Sequence, residues 1–121
     1  MAERLTAVNV TRGAKLAMPV RRCASFLCRL RGLTFRRRLG DQLLLLVGQA
    51  EGRVGTAIHM FFVFFPIAVV WLDDAGVVID QRLACPFWPL YVPRAAARDV
   101  LEGPPDLLSE VGVGDQLRFE A

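Results

Sequence analysis

Thr56 to Leu83 reads TAIHMFFVFFPIAVVWLDDAGVVIDQRL, and its interpretation decides the fold. Ile67 to Leu72 is apolar at every position, as a central strand is when covered above and below. Val77, Ile79 and Leu83 alternate with Val78, Asp80 and Arg82, a near period-two pattern that predicts a strand with one buried face. Asp73-Asp74-Ala75-Gly76 between them is turn chemistry, since Asp bonds nearby backbone and Gly accepts positive φ. Upstream, Ala57 to Phe65 forms a third apolar run, cut off by Pro66. A proline cannot donate to a ladder and belongs at a strand start or edge.

The rival reading is a membrane span, because Ala57 to Leu72 carries no formal charge. A spanning helix needs about 20 apolar residues, and this one would hold His59 and Pro66 inside it. The aromatic and β-branched bias favours strands. No membrane span is therefore expected.

Outward from this hairpin, the 121 residues are enough for one domain, 1–121. Residues 1–20 are read either as part of it or as a separate edge strand and linker. The start, MAERLTAVNV, shows no secretory signal pattern. Three cysteines make an odd count, and Cys23 and Cys28 would diverge on a helix. Three reduced thiols and a cytoplasmic location are expected. One His and no Cys-x-x-Cys argue against a metal, and no cofactor is expected.

Charge is uneven. The net is +3, yet Arg21 to Arg38 holds seven Arg and no acid, while the second half of the chain is acidic. A phosphate-binding patch is the sharp interpretation. A solvated face is the plainer one, and no aromatic or Gly pattern for nucleic acid accompanies the charge. Nucleic acid is therefore not the expected partner; a protein or a small molecule is.

Along the chain, Leu5 to Thr11 predicts a strand and Arg12-Gly13 a turn. Arg21 to Arg31 predicts a helix, with Cys23, Phe26, Leu27 and Leu30 on one stripe and Gly32 ending it. Leu43 to Val47 predicts a buried strand and Gly48 to Gly55 a loop. Ala84 to Pro93 holds three prolines and four large apolar groups, Phe87, Trp88, Leu90 and Tyr91. It is either a lid or a platform for a ligand. Ala95 to Glu102 is helix or strand. Asp106 to Val111 predicts a short helix capped by Asp106, and Gln116 to Glu120 a last strand with Leu117 and Phe119 inward. The sum is a mainly β (α+β) fold: a compact, barrel-like antiparallel sheet with one or two short helices.

At this point several pieces resemble the bacterial and archaeal family called domain of unknown function 192. They are Arg29-Leu30-Arg31-Gly32-Leu33-Thr34-Phe35-Arg36, Ile58-His59-Met60-Phe61-Phe62, Pro66-Ile67 leading to Val70-Trp71-Leu72-Asp73, Gly76-Val77-Val78, Val100-Leu101-Glu102, and Gly112-Val113-Gly114-Asp115. Their order matches and they span most of the chain after Arg21. The resemblance implies a small β-rich, barrel-like domain and leaves the role open. Thr34 stands where the family usually has Met, and Ala68 where it usually has Asp.

The first functional expectation is a non-catalytic binding or interaction module, with His59, Trp88, Phe87 and Tyr91 as ligand contacts. The alternative is a hydrolase-type enzyme pairing His59 with an acid, Glu102 or Asp115. Against it, His59 in an apolar run is ordinarily a neutral core residue. Cys85 as a nucleophile is weaker, because nothing nearby in sequence lowers its pKa. The last reading is nucleic-acid binding through Arg21–Arg38. Glu102 is also expected in a structural ion pair with Arg29, tying helix to sheet.

Overall fold

The computed structural model describes residues 4–23, 42–52, 65–86 and 90–121. The chain builds β1 (Arg4–Asn9), β2 (Ala14–Lys15), β3 (Val20–Cys23), β4 (Leu43–Gly52), β5 (Ile67–Leu72), β6 (Val78–Ala84), β7 (Ala97–Gly103), a short helix α1 (Leu107–Glu110) and β8 (Leu117–Glu120). The strands form one sheet in the order β2-β1-β3-β4-β7-β5-β6, with β8 on the other side of β1. Every pairing is antiparallel except β3 with β4, which run parallel.

The sheet curls into a half-barrel. At one end the start of β6 is tacked to the start of β8. Val77 bridges Gln116, the Val78 N–H donates to Asp115 O, and the Leu117 N–H donates to Gly76 O. Mostly strands with one short helix among the described residues, the molecule has the fold class expected from the sequence.

Alternation along the central strands sends side chains to two faces, and both are buried. Leu43, Leu45, Ala68, Val70, Leu72 and Leu101 join the core of the concave side. Leu44, Ile67, Val69, Trp71 and Val100 join a second core on the opposite face. All six residues of β5 are buried, as its unbroken apolar sequence requires.

Several local expectations are corrected. Arg21 to Cys23 is strand, not the first turn of a helix, because these residues pair with Leu44 to Leu46. The rest of that predicted helix, and the run Ala57 to Phe64, lie outside the described residues. Cys23 is disulfide-bonded and Cys85 is free, so the three thiols are not all reduced. The divergence argued for Cys23 assumed a helix that this position does not form. β4 continues through Gly48 to Gly52 where a loop was expected. Asp106 makes no side-chain cap bond to α1. In β6 the buried positions are Val78, Asp80 and Ala84, while Leu83 is exposed. Trp71 pairs with Asp80 but Leu72 with Val78, so a bulge at Ile79 reverses the alternation. No helix of the described residues is long and apolar enough to cross a membrane.

Gly76 carries the tightest requirement in the hairpin. Its φ is 81°, and a Cβ there would stand 2.5 Å from Leu117 O. Gly114, with φ 97°, has open space at the same point. Gly76→Ala should therefore cost at least about 2 kcal/mol, a melting temperature roughly 5–10 °C lower. Gly114→Ala should cost only its backbone strain and a smaller shift. Equal shifts in thermal melts of the two variants would show that the contact with Leu117 is not limiting.

Candidate functional site

The second face of the sheet is where polar chemistry meets the core. Directly paired residues share a face, so the registers lay out its side chains in rows. One row reads Arg21, Leu44, Glu102, Val69, Arg82 across β3, β4, β7, β5 and β6. The adjacent row reads Cys23, Leu46, Val100, Trp71, Asp80. Glu102 thus sits in the middle of the sheet, two strands, or about 10 Å, from either arginine in its row.

Glu102 is 3% exposed, and its Oε1 meets no hydrogen-bond partner among the described residues. Burial disfavours the charged carboxylate and pushes its pKa up to about 7. Arg29, its expected partner, lies outside the described residues.

Asp80 lies on the same face at the sheet's edge and is handled in the opposite way. It is 1% exposed, yet both oxygens are occupied. Oδ1 accepts the Gln81 N–H at 2.9 Å and Oδ2 the Arg94 N–H at 3.0 Å. The guanidiniums of Arg94 and Arg82 approach through Nε at 3.3 and 3.8 Å. The loop between β6 and β7 has a second tie, because the Cys85 N–H donates to the Tyr91 hydroxyl at 2.9 Å. Tyr91 packs half-buried against the second core, and Leu90 beside it is 54% exposed. His59, Phe87 and Trp88 lie outside the described residues.

Asp115, the other acid considered for catalysis, belongs to a structural latch. Its Oδ2 accepts from Asn9 Nδ2 and from the Gly112 N–H, each at 2.9 Å, and lies 3.0 Å from Arg12 Nε. The Asn9 hydrogen bond, with help from Gly112 and Arg12, holds its carboxyl below the usual range. Asn9 Nδ2 also donates to Glu110 O, and the Ala17 N–H donates to Glu110 Oε1. The Gly112–Asp115 stretch therefore joins β1 and its turn to the α1–β8 connection.

Sequence reasoning missed Asp80, Arg82 and Arg94. The alternation placed Asp80 and Arg82 on the solvent side, and Arg94 lies beyond the proline-rich loop. The only available signal was an acid and a base two apart on one strand, which is too common to single out.

A curled half-barrel of strands with a buried acid on its outer face defines a small, mainly β domain class. The chain belongs to the DUF192 family, described as uncharacterized ACR, which matches over residues 7–119. It is 37% identical over 114 residues to a UPF0127 protein of Thermococcus kodakarensis, covering 93% of this chain and 71% of that one. A UPF0127 protein of Pyrococcus furiosus is 32% identical over 114 residues, covering 93% and 96%. The fold is similar to that of a protein of unknown function from Novosphingobium aromaticivorans, with TM-score 0.80 at 15% identity over 97% and 84% of the two chains.

The Glu102 carboxyl links folding to pH. Below its ordinary value of 4.5 it is protonated in both folded and unfolded chains. Between 4.5 and about 7 only the unfolded chain loses the proton, so stability falls as pH rises through this window. The loss should reach about 3 kcal/mol, and Glu102→Gln should remove that slope. If Arg29 instead holds an ionised Glu102, Glu102→Gln should cost about 3–5 kcal/mol above neutrality, and adding Arg29→Met little more. Urea denaturation of wild type and both variants at about pH 5 and about pH 8 decides between the two.

Proposed function

We propose that residues 1–121 form one domain that acts as a non-catalytic binding or interaction module. Its ligand, a small molecule or a protein segment, meets the loop that follows β6, with His59, Phe87, Trp88 and Tyr91 as contacts. The observation that carries this is the tethered loop. Tyr91 is fixed by its bond from Cys85 and Arg94 by its bond from backbone to Asp80, while Leu90, just before Tyr91, stands exposed. A loop held at both ends loses little conformational freedom on binding, which favours affinity. We propose too that the protein works in the cytoplasm. The Cys23 disulfide would then need protection from the reducing pool.

The hydrolase reading keeps one specific support. A carboxyl with a pKa of about 7 is poised for general acid–base work at neutral pH. Asp115 has no such freedom, so Glu102 is the acid that His59 would use.

Titration with phenol and indole, uncharged aromatic probes, tests the binding reading. Saturable shifts of the Tyr91 and Trp88 ring signals in NMR spectra are expected. Trp88→Ala should weaken them several-fold while lowering stability by less than about 1 kcal/mol, as for a side chain outside the core. A large stability loss without a binding change would make the loop a lid. Hydrolysis of p-nitrophenyl acetate that is abolished by both His59→Ala and Glu102→Gln would favour the enzyme.

A further inference from the structure

We propose that Arg82 and Arg94 together form a binding site for an oxyanion, the carboxylate or phosphate group of a small molecule. This rests on the binding reading above and names the chemical class of its ligand.

Asp80 is the buried centre of this cluster. A buried carboxylate needs hydrogen bonds and one compensating charge. Two backbone N–H groups, from Gln81 and Arg94, already bond its oxygens. One guanidinium would balance its charge. Two are present, both drawn to the same carboxylate through Nε. The cluster therefore carries one positive charge more than Asp80 needs.

The surplus is accessible. The Arg82 side chain is 46% exposed and that of Arg94 67%. Neither guanidinium donates a hydrogen bond to a described residue, and no described residue pairs with their terminal amino groups. Like charges repel, and these two meet on the two oxygens of one carboxylate, Arg94 on Oδ1 and Arg82 on Oδ2. An oxyanion above them would relieve that repulsion and accept N–H groups from both. Arginine's planar fork suits this work, since it matches a carboxylate or phosphate edge with paired bonds.

The site is also placed and stiffened. Arg82 is fixed in β6, on the second face, by pairing with Val69. Arg94 is fixed by its own backbone bond to Asp80, at the far end of the tethered loop. Tyr91 lies three residues before Arg94, half-buried against the same face. An anion carrying an apolar or aromatic body would place its charge between the arginines and its body along the loop. The local surplus of charge also steers such a ligand inward.

The test compares phenyl phosphate, benzoate, inorganic phosphate and phenol, titrated into the whole protein at physiological salt. The Nε–H signals of Arg82 and Arg94 are followed by NMR. Phenyl phosphate or benzoate is expected to shift both signals saturably and to bind about tenfold or more tightly than phenol. Whichever of the two binds better identifies phosphate or carboxylate as the natural group. Arg82→Gln and Arg94→Gln should each remove that advantage while leaving phenol binding and the thermal melt unchanged. Both side chains are exposed, so the variants keep the fold. If the anions bind no more tightly than phenol, or if their advantage survives both substitutions, the oxyanion site is overturned. Phenol binding with no anion advantage would leave the binding module standing without this site.

Discussion

Strand β5 has no solvent face, and that constraint organises the rest of the sheet. Ile67, Val69 and Trp71 are buried on one side, and Ala68, Val70 and Leu72 on the other. A strand of this kind must have a neighbour on each edge and cover on each surface. β6 and β7 supply the edges, and β4 and β3 extend the sheet beyond β7. Curling brings the start of β6 to β8, which encloses the concave core. Pro66, which cannot donate to a ladder, stands immediately before β5 and not within it. Apart from Asp99 and Glu102 on β7, the buried polar side chains of the described residues stand at the margins: Asn9 in its latch with Asp115 at one end, and Asp80 on β6.

Much of this was legible because it is local. The unbroken run Ile67 to Leu72, the turn Asp73 to Gly76 and the last strand with Leu117 inward each follow from short-range pattern. β3 was not legible. Arg21 to Cys23 becomes strand through parallel pairing with β4, a contact that its own few residues do not announce, and Cys23, Phe26, Leu27 and Leu30 offered a competing helical spacing. The phase of β6 was lost for a related reason. One extra residue at Ile79 exchanges the two faces, and a bulge leaves no mark on a hydrophobicity pattern. In the candidate site, the proline-rich loop marked itself by composition. The convergence of Arg82 and Arg94 on Asp80 joins residues across that loop and depends on the bulge, so no local reading reaches it.

The two buried carboxyls on the second face show how position in a sheet decides the chemistry of an acid. Glu102 lies on β7, between β4 and β5, where neighbouring strands on both sides claim the backbone N–H groups. A carboxyl there has only side chains to turn to, and its row neighbours are Leu44 and Val69. The neutral acid is the form this setting favours, and its pKa rises accordingly. Asp80 lies on β6, whose outer edge is tacked to β8 only at its start. Beyond that point no described strand pairs with the edge, and the returning loop brings the Arg94 N–H to the Asp80 carboxyl. Backbone donors and arginines can then surround the carboxyl. Among the described residues the central acid thus meets no cation, while the edge acid lies beside two.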